Sequence, residues 1–138
     1  MNISDVIFLT VEQVIDLHER AIRTHSPGES LAIRDAGLLE SAVMAPQHTW
    51  GGEYLYPTVA EMAAQYLISL NQNHAFENGN KRAGFAACAV FLRLNGYHLG
   101  LTPNGAAELT LAVASHSIER DAVIAQIMQG LENISSPA

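Results

Sequence analysis

Apolar residues recur at helical spacing in six separate runs along this chain, and only two short stretches look like strands. Thr10 followed by Gln13 forms a capping-box pattern, in which side-chain oxygens satisfy the free N–H groups of a helix start. Behind it Val11, Val14, Ile15, His18 and Ile22 mark one face of a first helix that ends near Arg23. Pro27 and Gly28 make His25 to Ser30 a loop, after which Asp35 caps a short second helix carrying Leu38, Leu39, Ala42 and Val43 and closed by Pro46. Between Gln47 and Pro57, Gly51-Gly52 separates two aromatic-rich arms, a pattern that fits a small hairpin flap and a plain loop equally well.

Thr58 with Glu61 is a second capping box, opening a third helix to about Asn73 whose face is Val59, Met62, Ala63, Tyr66, Leu67 and Leu70. The periodicity breaks at HAFENG and resumes near Asn80, in a helix whose body AGFAACAVFLRL is apolar nearly all round and is therefore the central, buried one. Gly96 supplies the left-handed position at which that helix stops. Pro103 sits in the first turn of a fifth helix that runs to about Ser115, and Ile118, Val123, Ile124, Ile127 and Leu131 belong to a sixth. Ile7 to Leu9 and Tyr97 to Leu101 are the two strand-like stretches. With no internal repeat and no linker, residues 1–138 are expected to form one all-α domain, a compact bundle of about six helices, with residues 135–138 as a frayed tail.

Composition narrows the function. The hydrophobic fraction of 49% against 15% charged residues rules out a disordered chain, and the net charge of −7 argues against direct nucleic-acid binding or adhesion to an anionic membrane. The longest apolar run, Ala83 to Leu94, is interrupted by Arg93 and falls well short of the roughly 20 residues that span a bilayer. The N-terminal MNISDVIFLT has an acid where a secretory signal needs basic residues, and the single cysteine, Cys88, lies in an apolar stretch and has no disulfide partner. A cytoplasmic protein is expected.

The informative chemistry lies where the periodicity breaks. The only lysine, Lys81, stands beside Arg82 at the start of the central helix, where the helix dipole disfavours cations and free N–H groups attract anions. Gly79 just before them keeps side-chain bulk away from the backbone, so the stretch from Gly79 through Asn80 to Arg82 reads as a phosphate site. His74, on the same loop, can accept a hydroxyl proton near neutral pH, Phe76 suits a loop anchor, and Glu77 and Asn78 offer oxygen ligands for Mg²⁺. The chemistry indicated is phosphoryl or nucleotidyl transfer to a hydroxyl.

HAFENGNKR, His74 to Arg82, closely resembles the signature of the Fic/Doc superfamily, in the N-K-R form of its death-on-curing toxins. Ile33 to Gln47 (IRDAGLLESAVMAPQ) resembles the family's upstream segment, and FLRLNGY (Phe91 to Tyr97) the end of its central helix. The resemblance implies an all-α fold, ATP bound at the motif loop with Mg²⁺, and an intracellular toxin paired with a small, prevent-host-death-like antitoxin. It further implies that His74 is the catalytic base, that Gly79 and Asn80 form the anion-binding turn, and that Lys81 and Arg82 grip the triphosphate.

Three departures refine this. The adenylylating branch has glycine where Lys81 stands and a second arginine where Phe85 stands; in death-on-curing toxins the same changes accompany a kinase reaction whose family target is a threonine of elongation factor Tu. The family's acidic metal ligand falls at Asn78, which carries no charge for a hard cation, so Glu77 is the alternative ligand. A protein adenylyltransferase, or a catalytically weak module that binds nucleotide or antitoxin, are the competing expectations. His18, His25, His48, His98 and His116 show no paired metal-ligand spacing and are read as core or surface, and Arg34 and Asp35 as linking and capping residues outside the site.

Overall fold

The computed structural model describes residues 5–134, so the expected frayed tail lies outside the described residues. The helix-start signals fold as their side chains dictate. In α1 (Val11–His25) the Thr10 hydroxyl accepts the Gln13 N–H while the Gln13 carboxamide accepts the Thr10 N–H. The Asp35 carboxylate accepts the Leu38 N–H at the start of α2 (Ala36–Met44), and Pro46 turns the chain into a single 3-10 turn, Ala45–Gln47. The next stretch is a hairpin: β1 (Thr49–Trp50) pairs antiparallel with β2 (Glu53–Tyr54) across Gly51 and Gly52, both at positive φ. Trp50, 81% exposed, stands on it as a projecting flap.

Helix α3 (Val59–Gln72) opens on the second capping box and α4 (Asn80–Leu94) begins at Gly79. These two helices share the centre of the bundle. Ten residues of α3 are buried, and α4 presents Ala83, Gly84, Ala87, Cys88, Phe91 and Leu92 to the core. Gly84 permits their close approach, because a Cβ there would collide with the Asn71 amide. Burial pushes the Cys88 thiol up to about 12, which makes it inert packing. α5 (Pro103–Ala114) and α6 (Arg120–Gly130) complete the six helices, and β3 (Tyr97–Leu99) pairs antiparallel with β4 (Leu131–Asn133). No helix among the described residues is long and apolar enough to cross a membrane.

Two expectations are corrected. Ile118 precedes α6 and Leu131 follows it, as the first residue of β4; Leu131 leaves the helical pattern because the chain there pairs with Leu99, with the Gly100 N–H donating to the Gly130 carbonyl at 2.6 Å. Ile7 to Leu9 forms no strand. Its polar groups are met by side chains instead: Asn95 Oδ1 accepts the Ile7 N–H, Asn95 Nδ2 donates to the Ile7 and Phe91 carbonyls, and the Tyr66 hydroxyl accepts the Leu9 N–H. Burial keeps that hydroxyl protonated, its pKa pushed up to about 12 despite the Leu9 bond that lowers it.

Asn95 thus ties the N-terminal segment to the end of α4 with two hydrogen bonds to Ile7 and braces itself with a third to the Phe91 carbonyl of its own helix. Asn95→Ala is expected to destabilise the fold by about 1–3 kcal/mol, through backbone groups left unpaired, read as a lower urea midpoint at unchanged slope.

Candidate functional site

The loop joining α3 to α4 is fixed on its outer side by the segment before α2. The Ala75 carbonyl accepts the N–H groups of Arg34 and Asp35 at 2.7 and 3.1 Å, the Glu77 N–H donates to the Ala32 carbonyl, and Ile33 forms an antiparallel bridge with Phe76. Arg34 Nε donates to the His74 carbonyl at 2.7 Å. That bond sits on a backbone strained into the left-handed region, with His74 at φ 52°. Its imidazole is exposed and free of hydrogen bonds among the described residues.

On the inner side Phe76 is the anchor, 1% exposed and stacked on the His18 ring at 3.7 Å and 5°. The Asn80 side chain brackets it, accepting the Phe76 N–H through Oδ1 at 3.0 Å and donating through Nδ2 to the Phe76 carbonyl at 2.9 Å. Asn80 is therefore committed to the loop through its side chain, and only its main-chain N–H faces the helix start. Gly79 is required for a reason the sequence did not reveal. It lies at φ 78°, and a Cβ there would come within 2.8 Å of Ile22 Cδ1 and 3.3 Å of the His18 ring.

No side chain caps α4. Its first N–H groups, which at any helix start have no intrahelical partner, are therefore left without a side-chain acceptor as well. Lys81 and Arg82 are exposed on that first turn and form no ion pair among the described residues. An uncapped helix start with two free cations fits a polyphosphate. Beside it Glu77 is exposed and Asn78 half-buried, and no group of three His, Cys, Asp or Glu residues among those described could hold a metal alone. One carboxylate fits Mg²⁺ that arrives on a nucleotide, since this ion is ordinarily held by one or two carboxylates together with substrate phosphates.

Next to these cations an open cavity of about 590 Å³ lies between α4, α5 and the end of α1, lined by His25, Lys81, Arg82, Phe85, Thr110 and Leu111 among others. A second hollow of about 350 Å³ continues it past Phe85 towards Arg93 and His98. The two are lined by the basic side chains of His25, Lys81, Arg82, Arg93 and His98 and by no carboxylate, although the chain as a whole is acidic.

All the residues expected at the site, His74, Glu77, Asn78, Gly79, Asn80, Lys81 and Arg82, lie on this one loop and the first turn after it. Two residues set aside by sequence reasoning stand against it, Arg34 and His18. Only the spacing of His18 with Val14 and Ile22 on the core face of α1 hinted at its place.

Comparison with known proteins gives the family of the chain. A 102-residue stretch is 39% identical to "Toxin Doc" of Mycolicibacterium smegmatis, covering 72% of this chain and 78% of that protein. "Protein kinase doc" of Escherichia phage P1 is 29% identical over 117 residues, 83% of this chain and 88% of the relative. The Fic/DOC family profile matches residues 8–92, from the extended segment before α1 through the motif loop to the end of the α4 core face, and the chain belongs to that family.

Proposed function

We propose that this protein is the toxin of a toxin–antitoxin pair, a single domain acting in the cytoplasm, and that it transfers the γ-phosphoryl group of ATP to a hydroxyl of a translation factor, with a threonine of elongation factor Tu as the family target. The observation that carries the reading is the uncapped start of α4, with Lys81 and Arg82 exposed on the same loop as His74. His74 takes the proton of the attacking hydroxyl while the oxygen bonds to the γ-phosphorus and ADP leaves. The N–H groups of Gly79 and Asn80, with the Lys81 and Arg82 side chains, hold the phosphates. Glu77 and Asn78 are the residues that would hold Mg²⁺, which neutralises charge on the phosphates when bound. Translation arrest follows from modification of the factor.

Phosphoryl transfer is favoured over adenylyl transfer by Phe85, an apolar residue in the cavity wall where the adenylylating branch has its second cation. The relative named a protein kinase supports the same choice. A small prevent-host-death-like antitoxin is the partner, and the basic-lined cavity suits an amphipathic helix that carries acidic residues and covers Lys81 and Arg82.

A second reading, a module that binds nucleotide or antitoxin and catalyses little, is favoured by the uncharged Asn78. Mg²⁺-dependent transfer from ATP to protein, compared across variants, separates the two. Asn78→Asp is expected to lower the Mg²⁺ concentration needed and raise the rate, and Glu77→Gln to reduce the rate of the native protein. Absence of transfer by the native protein and by Asn78→Asp alike, with ATP still bound, contradicts the enzymatic reading.

A further inference from the structure

His18 is wholly buried in α1, sixty positions before Asn78, yet its Nε2 lies 2.7 Å from the Asn78 carbonyl oxygen. A carbonyl oxygen can only accept, so Nε2 carries the proton, and Nδ1 is left buried with no hydrogen-bond partner among the described residues. Filling the space against Phe76 does not need a nitrogen. A phenyl ring would stack as well without stranding a polar atom in the core. What a histidine offers here that a phenyl ring lacks is the Nε2–H.

That bond fixes a peptide plane. No peptide among the described residues is cis, and in a planar trans peptide the C=O and the following N–H point in opposite directions. With the Asn78 carbonyl pinned inward to His18, the Gly79 N–H is turned away from the core, next to the uncapped first turn of α4. The same imidazole forms the floor under Gly79, close enough that a Cβ there would lie 3.3 Å from both Cδ2 and Nε2. We infer that His18 is a positioning residue of the phosphate site: its Nε2–H latches the Asn78–Gly79 peptide so that the Gly79 N–H joins the free N–H groups at the start of α4. The meeting of that N–H with a phosphate rests on the proposed phosphoryl transfer; the latch does not.

The test uses ¹⁵N-labelled full-length protein. In the wild type, long-range ¹H–¹⁵N spectra are expected to find the proton of His18 on Nε2, and a proton on Nδ1 in its place overturns the latch. His18→Phe keeps the ring and loses the donor, whereas His18→Gln restores an N–H at comparable reach. With His18→Phe the Gly79 and Asn80 amide resonances are expected to shift or broaden while that of Gly84 stays in place. Its affinity for inorganic tripolyphosphate, read by calorimetry, is expected to fall at least about tenfold, and His18→Gln to recover most of both. Wild-type Gly79 resonances in His18→Phe, or no recovery by glutamine, overturn the inference by reducing His18 to core packing. A wild-type protein that binds no tripolyphosphate overturns the phosphate reading, and the Gly79 resonances still decide the latch.

Discussion

His74→Ala is expected to lower phosphoryl transfer by about 10²- to 10⁴-fold, the usual contribution of a positioned general base, and to leave the fold intact. The two halves of this expectation have separate origins. The ring is exposed and engages no hydrogen bond among the described residues, so truncation removes no packing and moves stability by no more than about 0.5 kcal/mol. The backbone is held in place by Arg34 at the His74 carbonyl and by the two bonds to the Ala75 carbonyl, none of which needs the imidazole. Steady-state transfer, a thermal melt and growth on induced expression check the three consequences. Full growth inhibition by the alanine variant would remove His74 from the mechanism.

Lys81→Ala is expected to move stability and activity in opposite directions. A cation in the first turn of a helix opposes the dipole, so its removal leaves α4 as stable as before or more stable by about 0.3–1 kcal/mol. A charge-assisted hydrogen bond to phosphate contributes about 1.5–3 kcal/mol, so nucleotide affinity should fall by roughly 10- to 100-fold, with turnover falling as well. Few substitutions of purely structural residues combine a steady or raised melting temperature with lost binding. A parallel melt and ATP titration of Lys81→Ala read both signs, and unchanged affinity would show that the lysine only decorates the surface.

The helices were legible because their signals are local. Thr10 with Gln13 and Thr58 with Glu61 cap within four residues, and the apolar face of each helix repeats within a turn or two. What escaped was set by contacts distant in sequence. Leu131 continues the apolar spacing of α6 but is drawn into β4 by Leu99, and Ile7 has strand-like neighbours but meets the side chain of Asn95 rather than another strand. The same division runs through the site. His74, Lys81 and Arg82 announce themselves by residue type and helix position. Arg34 and His18 act across forty and sixty positions, through a main-chain carbonyl that no local pattern records. Asn80 reads as part of an anion turn from its place after Gly79, and its bracket around Phe76 appears only once the loop is folded.

Whether this site moves a phosphoryl group is decided by the position of a label. The protein is incubated with Mg²⁺, cell lysate or purified elongation factor Tu, and ATP labelled in separate reactions at the α or the γ phosphate. Label from the γ position, and not from the α position, is expected on a protein, in the wild type and not in His74→Ala. Label that reaches protein only from the α position would overturn phosphoryl transfer, because the clamp lacking its second cation at Phe85 would then be transferring AMP after all.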